Sequence, residues 1–278
     1  MENTYNITKQ LLREVPLPEH GKYYKPVIHG ELMDLTLTAI KDAGFTLDKE
    51  EYTSARNGNI ATGRYTIKDF DDGEMRLQIN WINSLDKTKA LKFSLGVGIL
   101  VCSNGAIRGN FSEFKKKHMG EIQTFTPQAI TEYIKHGEAY FKQLCEDKKQ
   151  MKEIVMDNET RNRLIGQMFL EEDFITATQM SILKREIEAP TYNYNSDPNS
   201  LWSIYQHSTF SMSNTHPFNW MDSHMKAHDF FCKEANILLN NPKKIIVPVD
   251  EYHISPNQIS LFKEAKEKYN ETLVKLED

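Results

Sequence analysis

Between residues 45 and 101 the chain has four successive β-type runs, and the third alternates apolar and polar residues in the pattern of a β-strand that buries one face. In the third run, every second residue from Met75 to Trp81 is apolar. Asn57-Gly58 and Asp71-Asp72-Gly73 separate runs and are typical of hairpin turns. The pattern predicts an antiparallel meander with the strands Phe45–Ala55, Asn59–Lys68, Met75–Asn83 and Leu91–Val101.

Apolar residues at helical spacing flank the meander on both sides. In Glu31–Ala43 they include Leu32 and Ile40, and Gly44 follows at a position where glycine commonly ends a helix. After Gly120 the predicted elements are the helices Pro127–Met156, Asn158–Met168, Ile175–Glu188, Asn199–Ser213, Asp222–Leu239 and Pro256–Leu276, with a short β-type run at Ile245–Val249. We therefore predict an α+β fold, with an antiparallel β meander flanked by helices and followed by a mostly helical C-terminal half.

The change of pattern near Gly120 also sets the predicted domain boundaries. We predict an α+β antiparallel-sheet domain over 1–120, a helical region over 121–189 and a helical C-terminal region over 190–278. The polar segment Pro190–Pro198 marks the last boundary as a linker.

Composition narrows the class of protein. The 278 residues include 34 basic and 39 acidic ones, and the net charge of −5 disfavours non-specific nucleic-acid binding by the whole surface. Three cysteines, an odd and sparse number, favour a reducing compartment over a disulfide framework. No apolar run approaches the about 18 residues that a membrane span needs, and the polar N-terminus lacks the apolar core of a secretory signal. These features predict a cytoplasmic protein with no membrane partner.

One basic cluster stands out against the acidic background. Positive side chains bind phosphate groups or an acidic partner protein, although a solvated surface after the sheet has the same composition. The members of this candidate binding cluster are Arg108, Lys115, Lys116, Lys117 and His118.

A second candidate binding region is rich in aromatic residues. Its rings would stack on exposed bases, anchor a protein interface, or pack a pair of helices together in the core. Pro217 and the polar loop Ser211–Thr215 favour exposure of at least part of it. The aromatic residues that we single out as candidate binding residues are Trp202, Tyr205 and Trp220.

His224, His228 and Cys232 recur every fourth residue and so share one face of a predicted helix. Imidazole and thiolate are zinc ligands, but three such positions span about 12 Å, too far for one ion with bonds of ~2.0–2.3 Å. His224 and His228 would need a third ligand from elsewhere. The alternative is a half-buried helix face with Cys232 in the core, and we expect neither a metal nor another cofactor.

The remaining polar features predict structure rather than chemistry. Gly96-x-Gly98 lies inside a strand, so it indicates a bulge or a close backbone approach instead of a dinucleotide site. Asp71–Glu74 lacks the ligand spacing of a calcium loop and predicts a hairpin turn.

Three further polar residues, Asn83, Asp86 and Asn104, lie near strand ends and predict side-chain caps of turns. Cys102 follows an apolar strand, which is typical of a buried, inert thiol. A nucleophile pair of Cys102 with His118 is the alternative interpretation of that cysteine.

The stretch 78–118 resembles a phage- and plasmid-associated family known as domain of unknown function 932. Its motifs appear here as Asn83-Ser84-Leu85-Asp86-Lys87, Val101-Cys102-Ser103-Asn104 and Lys115-Lys116-Lys117-His118. A second match is Leu201–Thr209, in which Gln206 replaces the asparagine of the family pattern. The resemblance covers roughly Val27–Phe210, and it implies a mobile-element origin with no assigned catalytic residue. The order of elements also resembles, at the level of fold, phage single-strand annealing proteins.

Because no motif specifies a reaction, we expect a protein that is not an enzyme. The leading hypothesis is a phage-encoded binding protein of the host cytoplasm, a stoichiometric inhibitor that binds a host anti-phage defence protein complex. The alternative is a single-stranded DNA binding or annealing protein of phage recombination. A metal-dependent enzyme using His224 and His228 is a third and weaker hypothesis. Either leading hypothesis implies a homo-oligomer.

Overall fold

A computed structural model describes residues 5–19, 26–100, 105–106, 114–116, 127–213 and 215–239. The described strands are β1 (Tyr5–Asn6), β2 (Leu47–Ala55), β3 (Ile60–Asp71), β4 (Met75–Ser84), β5 (Leu91–Ile99), β6 (Gly105–Ala106) and β7 (Phe114–Lys116). They form one antiparallel sheet in the order β1-β2-β3-β4-β5-β6, and β7 also pairs with β5.

Helices precede the meander and make up the described chain from residue 127 onward. They are α1 (Lys9–Arg13), α2 (His29–Asp42), α3 (Pro127–Lys135), α4 (Gly137–Glu153), α5 (Asn158–Leu170), α6 (Ala177–Glu188), α7 (Leu201–Ser211) and α8 (Pro217–Leu239). No described helix is both long and apolar enough to cross a membrane.

The predicted fold class is confirmed, and the four predicted strands correspond to β2–β5. Arg56, Asn57 and Gly58 turn the β2–β3 hairpin with φ angles of 53°, 54° and 87°, a left-handed conformation that glycine adopts without strain. The predicted helix Pro127–Met156 is two helices, because the chain breaks at His136 between α3 and α4. The predicted elements after residue 239 lie outside the described residues.

One face of the sheet is apolar and packs against α2. Tyr65 and Trp81 are both 0% exposed, and the Trp81 ring N–H donates to the Tyr65 hydroxyl at 3.1 Å. From α2, the imidazole of His29 stacks on the Trp81 ring with 6.3 Å between centroids. Gly63 lies opposite Trp81 in the β3–β4 register, and its missing side chain leaves room for the indole.

The acidic turn between β3 and β4 joins the sheet to α4. Lys148 of α4 contacts the carboxylates of Asp72 at 2.5 Å and Glu74 at 3.1 Å, and Lys152 contacts Glu74 at 2.7 Å. The predicted turn is therefore present, and its carboxylates pair with helix lysines.

The main hydrophobic core runs from Leu12 in α1 to Leu238 in α8 and includes residues of the meander and of the helical half. At its centre, α7 is buried on nearly every side and packs against α4, α6 and α8. The predicted division at 120 and 190 remains a prediction.

Candidate functional site

The second face of the sheet carries a row of buried polar side chains. Arg64 of β3 lies opposite Asn80 of β4, which in turn lies opposite Ser94 of β5, so the three side chains share one face. Asn80 and Ser94 are 0% exposed, whereas Arg64 is partly exposed. We call Arg64, Asn80 and Ser94 the polar row.

Several atoms of the polar row are buried without a partner. The Arg64 Nε, both amide atoms of Asn80 and the Ser94 Oγ find no hydrogen-bond partner among the described residues. Buried polar groups are nearly always paired, and each unpaired one costs about 1–3 kcal/mol. The row therefore holds three donor groups and two acceptor oxygens, those of Asn80 and Ser94, whose hydrogen-bonding capacity the described residues leave unused.

The N-terminal part of α8 covers this face. The Trp220 ring lies over the Arg64 guanidinium, 4.2 Å from its carbon to the ring centroid, and holds it in place. Burial lowers the pKa of Arg64, partly offset by Glu51, but an arginine stays charged at physiological pH. Ile60 and Ile82 form a small apolar cluster with Trp220 beside the row.

An ion pair next to the row ties β5 to α8. Lys92 of β5 contacts the Asp222 carboxylate at 2.5 Å. Burial acts to raise the pKa of Asp222, but the hydrogen bond and charge of Lys92 outweigh it, so the pKa is lowered and the carboxylate stays ionised.

The structure corrects the expected exposure of the three candidate aromatic residues. Trp202 and Trp220 are each 3% exposed and Tyr205 is 0% exposed, so none of these rings is at the surface. Tyr205 packs on Phe231 of α8 at 4.9 Å between centroids, because α7 lies at the centre of the helical half. These three rings pack in the protein interior, which was one of the three uses considered for them from the sequence.

The basic cluster is described only in part. Lys115 and Lys116 lie in β7, at register positions opposite Lys92 and Leu91. Arg108, Lys117 and His118 lie outside the described residues, as do Cys102 and Asn104, so a cluster formed by these residues remains a prediction.

Of the three residues predicted to cap turns, the structure describes Asn83 and Asp86, and only Asp86 has that role. Asp86 caps its turn, since it accepts hydrogen bonds from the Ser84 hydroxyl at 2.9 Å and the Thr88 N–H at 3.1 Å. Asn83 instead lies within β4, where its amide donates to the Val27 carbonyl at 2.7 Å and contacts His29 Nδ1 at 3.0 Å. Its role is to fix the chain before α2.

A second polar cluster lies between α4 and α8. His228 Nε2 is 3.2 Å from Asp147 Oδ2 and 3.3 Å from Cys232 Sγ, and the three ligand atoms lie within 4.8 Å of one another. His224 packs beside Trp220 instead, at 5.3 Å between ring centroids. The alternative weighed above, a site that joins His224 to His228, is therefore not what the described residues form, and Asp147 and Cys232 lie beside His228 instead.

Sequence reasoning missed Asp147, although the chain carries a signal for it. The buried face of α4 includes Tyr140, Leu144 and Met151 at helical spacing, and Asp147 falls on the same face. A carboxylate on the apolar stripe of an amphipathic helix needs a partner, and the partner here is His228.

The family model described as "Domain of unknown function (DUF932)" matches residues 16–234. The chain belongs to the DUF932 family. The match confirms the resemblance seen at 78–118 and extends it beyond Val27–Phe210 at both ends. No curated protein and no solved structure matched the chain significantly.

Within the DUF932 match, Gln206 is the residue that departs from the motif noted above. It is 0% exposed in α7, and neither atom of its amide finds a hydrogen-bond partner among the described residues. It therefore resembles Asn80 in its environment while lying outside the sheet.

Proposed function

We propose that this DUF932 protein is a non-catalytic binding protein that acts stoichiometrically on a partner assembly. The observation that carries the proposal is the polar row, whose buried and unpaired atoms a partner group would satisfy. The resemblance to phage and plasmid proteins motivates the choice of partner, a host anti-phage defence protein complex in the cytoplasm. The protein would then be a phage-encoded inhibitor.

The chemistry of the polar row fits recognition of a carboxylate or an amide. Arg64 and Asn80 donate N–H groups and Ser94 donates a hydroxyl, while the Asn80 carbonyl accepts. The sheet and Trp220 hold these groups in place before binding, which lowers the entropic cost of association. Among the described residues no base contacts Ser94 Oγ, which favours recognition over covalent catalysis.

Replacing Asn80 with leucine tests the polar row. We expect Asn80→Leu to keep or raise the melting temperature, because it removes two unpaired buried polar atoms and keeps the branched shape and the number of heavy atoms of the side chain. Partner binding should weaken about ten- to hundredfold, the equivalent of about 1.5–3 kcal/mol for a lost buried hydrogen bond. Thermal unfolding and calorimetric titration of the purified partner complex measure the two effects.

Gln206→Leu is the matched control, since it removes another buried and unpaired amide outside the row. It should change stability in the same direction and leave partner binding intact. If Asn80→Leu binds the partner as tightly as the wild type, the polar row does not recognise it.

The inhibitor proposal is tested in cells that each carry one defence system. Expression of the protein should restore plating of a phage that the system restricts, and the purified protein should form a complex of fixed composition with that system's proteins. Inhibition of the purified system should saturate at a fixed molar ratio. Inhibition at far lower ratios would indicate catalysis and overturn the stoichiometric mechanism.

Light scattering on the same samples tests the proposed homo-oligomer.

Single-stranded DNA binding is the second candidate, favoured by the register that places Lys115 opposite Lys92 on the β5 edge. If Lys115, Lys116 and Lys117 contact phosphates, binding should weaken steeply with salt. Each phosphate contact contributes about 0.7 to the slope of log K against log salt. Changing all three lysines to glutamate should therefore reduce the magnitude of that slope by about 2. Fluorescence anisotropy with labelled DNA measures it, and an unchanged slope excludes these lysines.

A further inference from the structure

Three metal-ligating side chains from two helices converge at one point of the helical half. Asp147 belongs to α4, and His228 and Cys232 lie one turn apart on α8. We infer that Asp147, His228 and Cys232 form a binding site for a divalent transition metal, with zinc as the best match. None of these residues belongs to the polar row, so the site is independent of the function proposed above.

The distances fit a tetrahedral ion. Zinc bonds of ~2.0–2.3 Å at tetrahedral angles separate neighbouring ligand atoms by about 3.3–3.8 Å. Here His228 Nε2 lies 3.2 Å from Asp147 Oδ2 and 3.3 Å from Cys232 Sγ. The ligand atoms of Asp147 and Cys232 lie within 4.8 Å of each other, so a bound ion would draw these two side chains toward it. Thiolate and imidazole ligands select zinc over the oxygen-seeking Mg²⁺ and Ca²⁺.

The arrangement does not match a catalytic nucleophile. In a Cys–His–Asp relay the cysteine and the carboxylate contact opposite nitrogens of the imidazole ring. Here both groups contact the same nitrogen, Nε2, as ligands of a shared ion would.

The other ring nitrogen has the partner that a metal-bound histidine requires. His228 Nδ1 lies 3.1 Å from the Tyr205 hydroxyl, and Tyr205 is 0% exposed. When the imidazole carries its proton on Nδ1, it donates this hydrogen bond to the Tyr205 hydroxyl oxygen. This bond fixes the ring with the Nε2 lone pair directed at Asp147 and Cys232.

The fourth coordination position opens into a small cleft. The cleft has a volume of about 180 Å³ and is lined by Asp147 and Cys232 together with Gln143, Gln150, Met151 and Asn236. Gln143 Nε2 donates to Asp147 Oδ1 at 3.1 Å and orients that carboxylate. A polar cleft of this size admits the water molecule that completes a three-residue zinc site.

Metal analysis of the purified full-length protein tests the site. After dialysis against zinc and removal of excess ion, one zinc per chain should remain, and Zn²⁺ should raise the melting temperature. Substituted Co²⁺ should show the near-ultraviolet charge-transfer band of a cobalt–thiolate bond and the strong visible bands of tetrahedral cobalt. Cys232→Ser should abolish the thiolate band, and Tyr205→Phe should weaken zinc binding about ten- to hundredfold.

Two matched controls separate this site from other thiols and histidines. Cys145→Ser removes the other described cysteine, whose thiol contacts Asp72, and His224→Gln removes the neighbouring histidine of α8. Both variants should keep one zinc and the full cobalt spectrum. If Cys232→Ser fails to fold, Asp147→Asn decides, because it preserves size and should still lose the tetrahedral bands. Absence of bound metal in the wild type, or its retention in Asp147→Asn and Cys232→Ser, overturns the inference.

Discussion

Gly63→Ala is expected to destabilise the protein by about 3 kcal/mol or more, at the upper end of the cost of overpacking a core. The new methyl group would lie closer than 3.0 Å to three atoms of the Trp81 ring. The ring cannot move aside, since it is 0% exposed, hydrogen-bonded to Tyr65 and stacked against His29. Chemical denaturation followed by tryptophan fluorescence measures the loss.

Gly98→Ala is the matched control on the neighbouring strand β5. Its methyl group would also meet a side chain, but the nearest atoms belong to the flexible Gln78 amide, which can rotate away. We expect a cost of about 1 kcal/mol or less. Equal costs for the two alanines would mean that the Trp81 ring is not held as the structure shows.

Lys148→Met is expected to cost about 2–3 kcal/mol at neutral pH, because it leaves two partly buried carboxylates without their shared cation. Lys148, Asp72 and Glu74 have side-chain exposures of 12%, 23% and 22%, so solvent screens the pairs only in part. Denaturant midpoints of wild type and variant across the acid range measure the difference.

The sign of the pH dependence follows from the carboxylate shifts. Burial acts to raise the pKa values of Asp72 and Glu74, but hydrogen bonds from Lys148 to Asp72 and from Lys152 to Glu74 outweigh it, so both pKa values are lowered. A lowered pKa stabilises the fold above the unfolded value of about 4, and this contribution is lost as pH falls through the folded value. The advantage of wild type over Lys148→Met should therefore shrink as the pH falls below about 4.

At alkaline pH the stability contribution of Lys148 changes in the opposite direction, since it is lost as the pH rises. Burial acts to lower the pKa of Lys148, but its hydrogen bonds to Asp72 and Glu74 together with their negative charges raise it, so its contribution is present below about 10.4 and lost above the folded value. Lys142→Met is the control, because Lys142 pairs with Glu138 on the exposed side of the same helix. It should cost little at any pH. A pH-independent difference between wild type and Lys148→Met would refute the ion-pair account.

The meander was predictable because its signals are local. Alternation from Met75 to Trp81 and the turn residues at Asn57-Gly58 each act within a few positions, and β4 and the β2–β3 hairpin follow them. Local pattern failed at Asn83, whose partners Val27 and His29 are distant in sequence. It also did not predict the burial of the aromatic rings of α7. Because this helix is buried on nearly all sides, its sequence lacks the polar face that marks an ordinary amphipathic helix.

The two candidate sites depend on information that no single segment carries. The polar row exists only because the β3–β4 and β4–β5 registers bring Arg64, Asn80 and Ser94 together. A shift of one residue in either register would send one side chain to the opposite face. The metal-ligand cluster likewise needs α4 and α8 to meet at Asp147 and His228.

The order of the strands has a consequence for biosynthesis. Because β2–β5 pair in chain order, the sheet can form as soon as β5 is complete, before α3 and α4 are available to complete the cover of its apolar face. The helix that covers the opposite face begins only at Pro217, long after β5 ends at Ile99. An apolar surface left open for that interval would attract other nascent chains. On that face Arg64, Asn80 and Ser94 reduce the apolar area, so the side chains left unpaired in the finished fold would make the unfinished sheet less prone to aggregate.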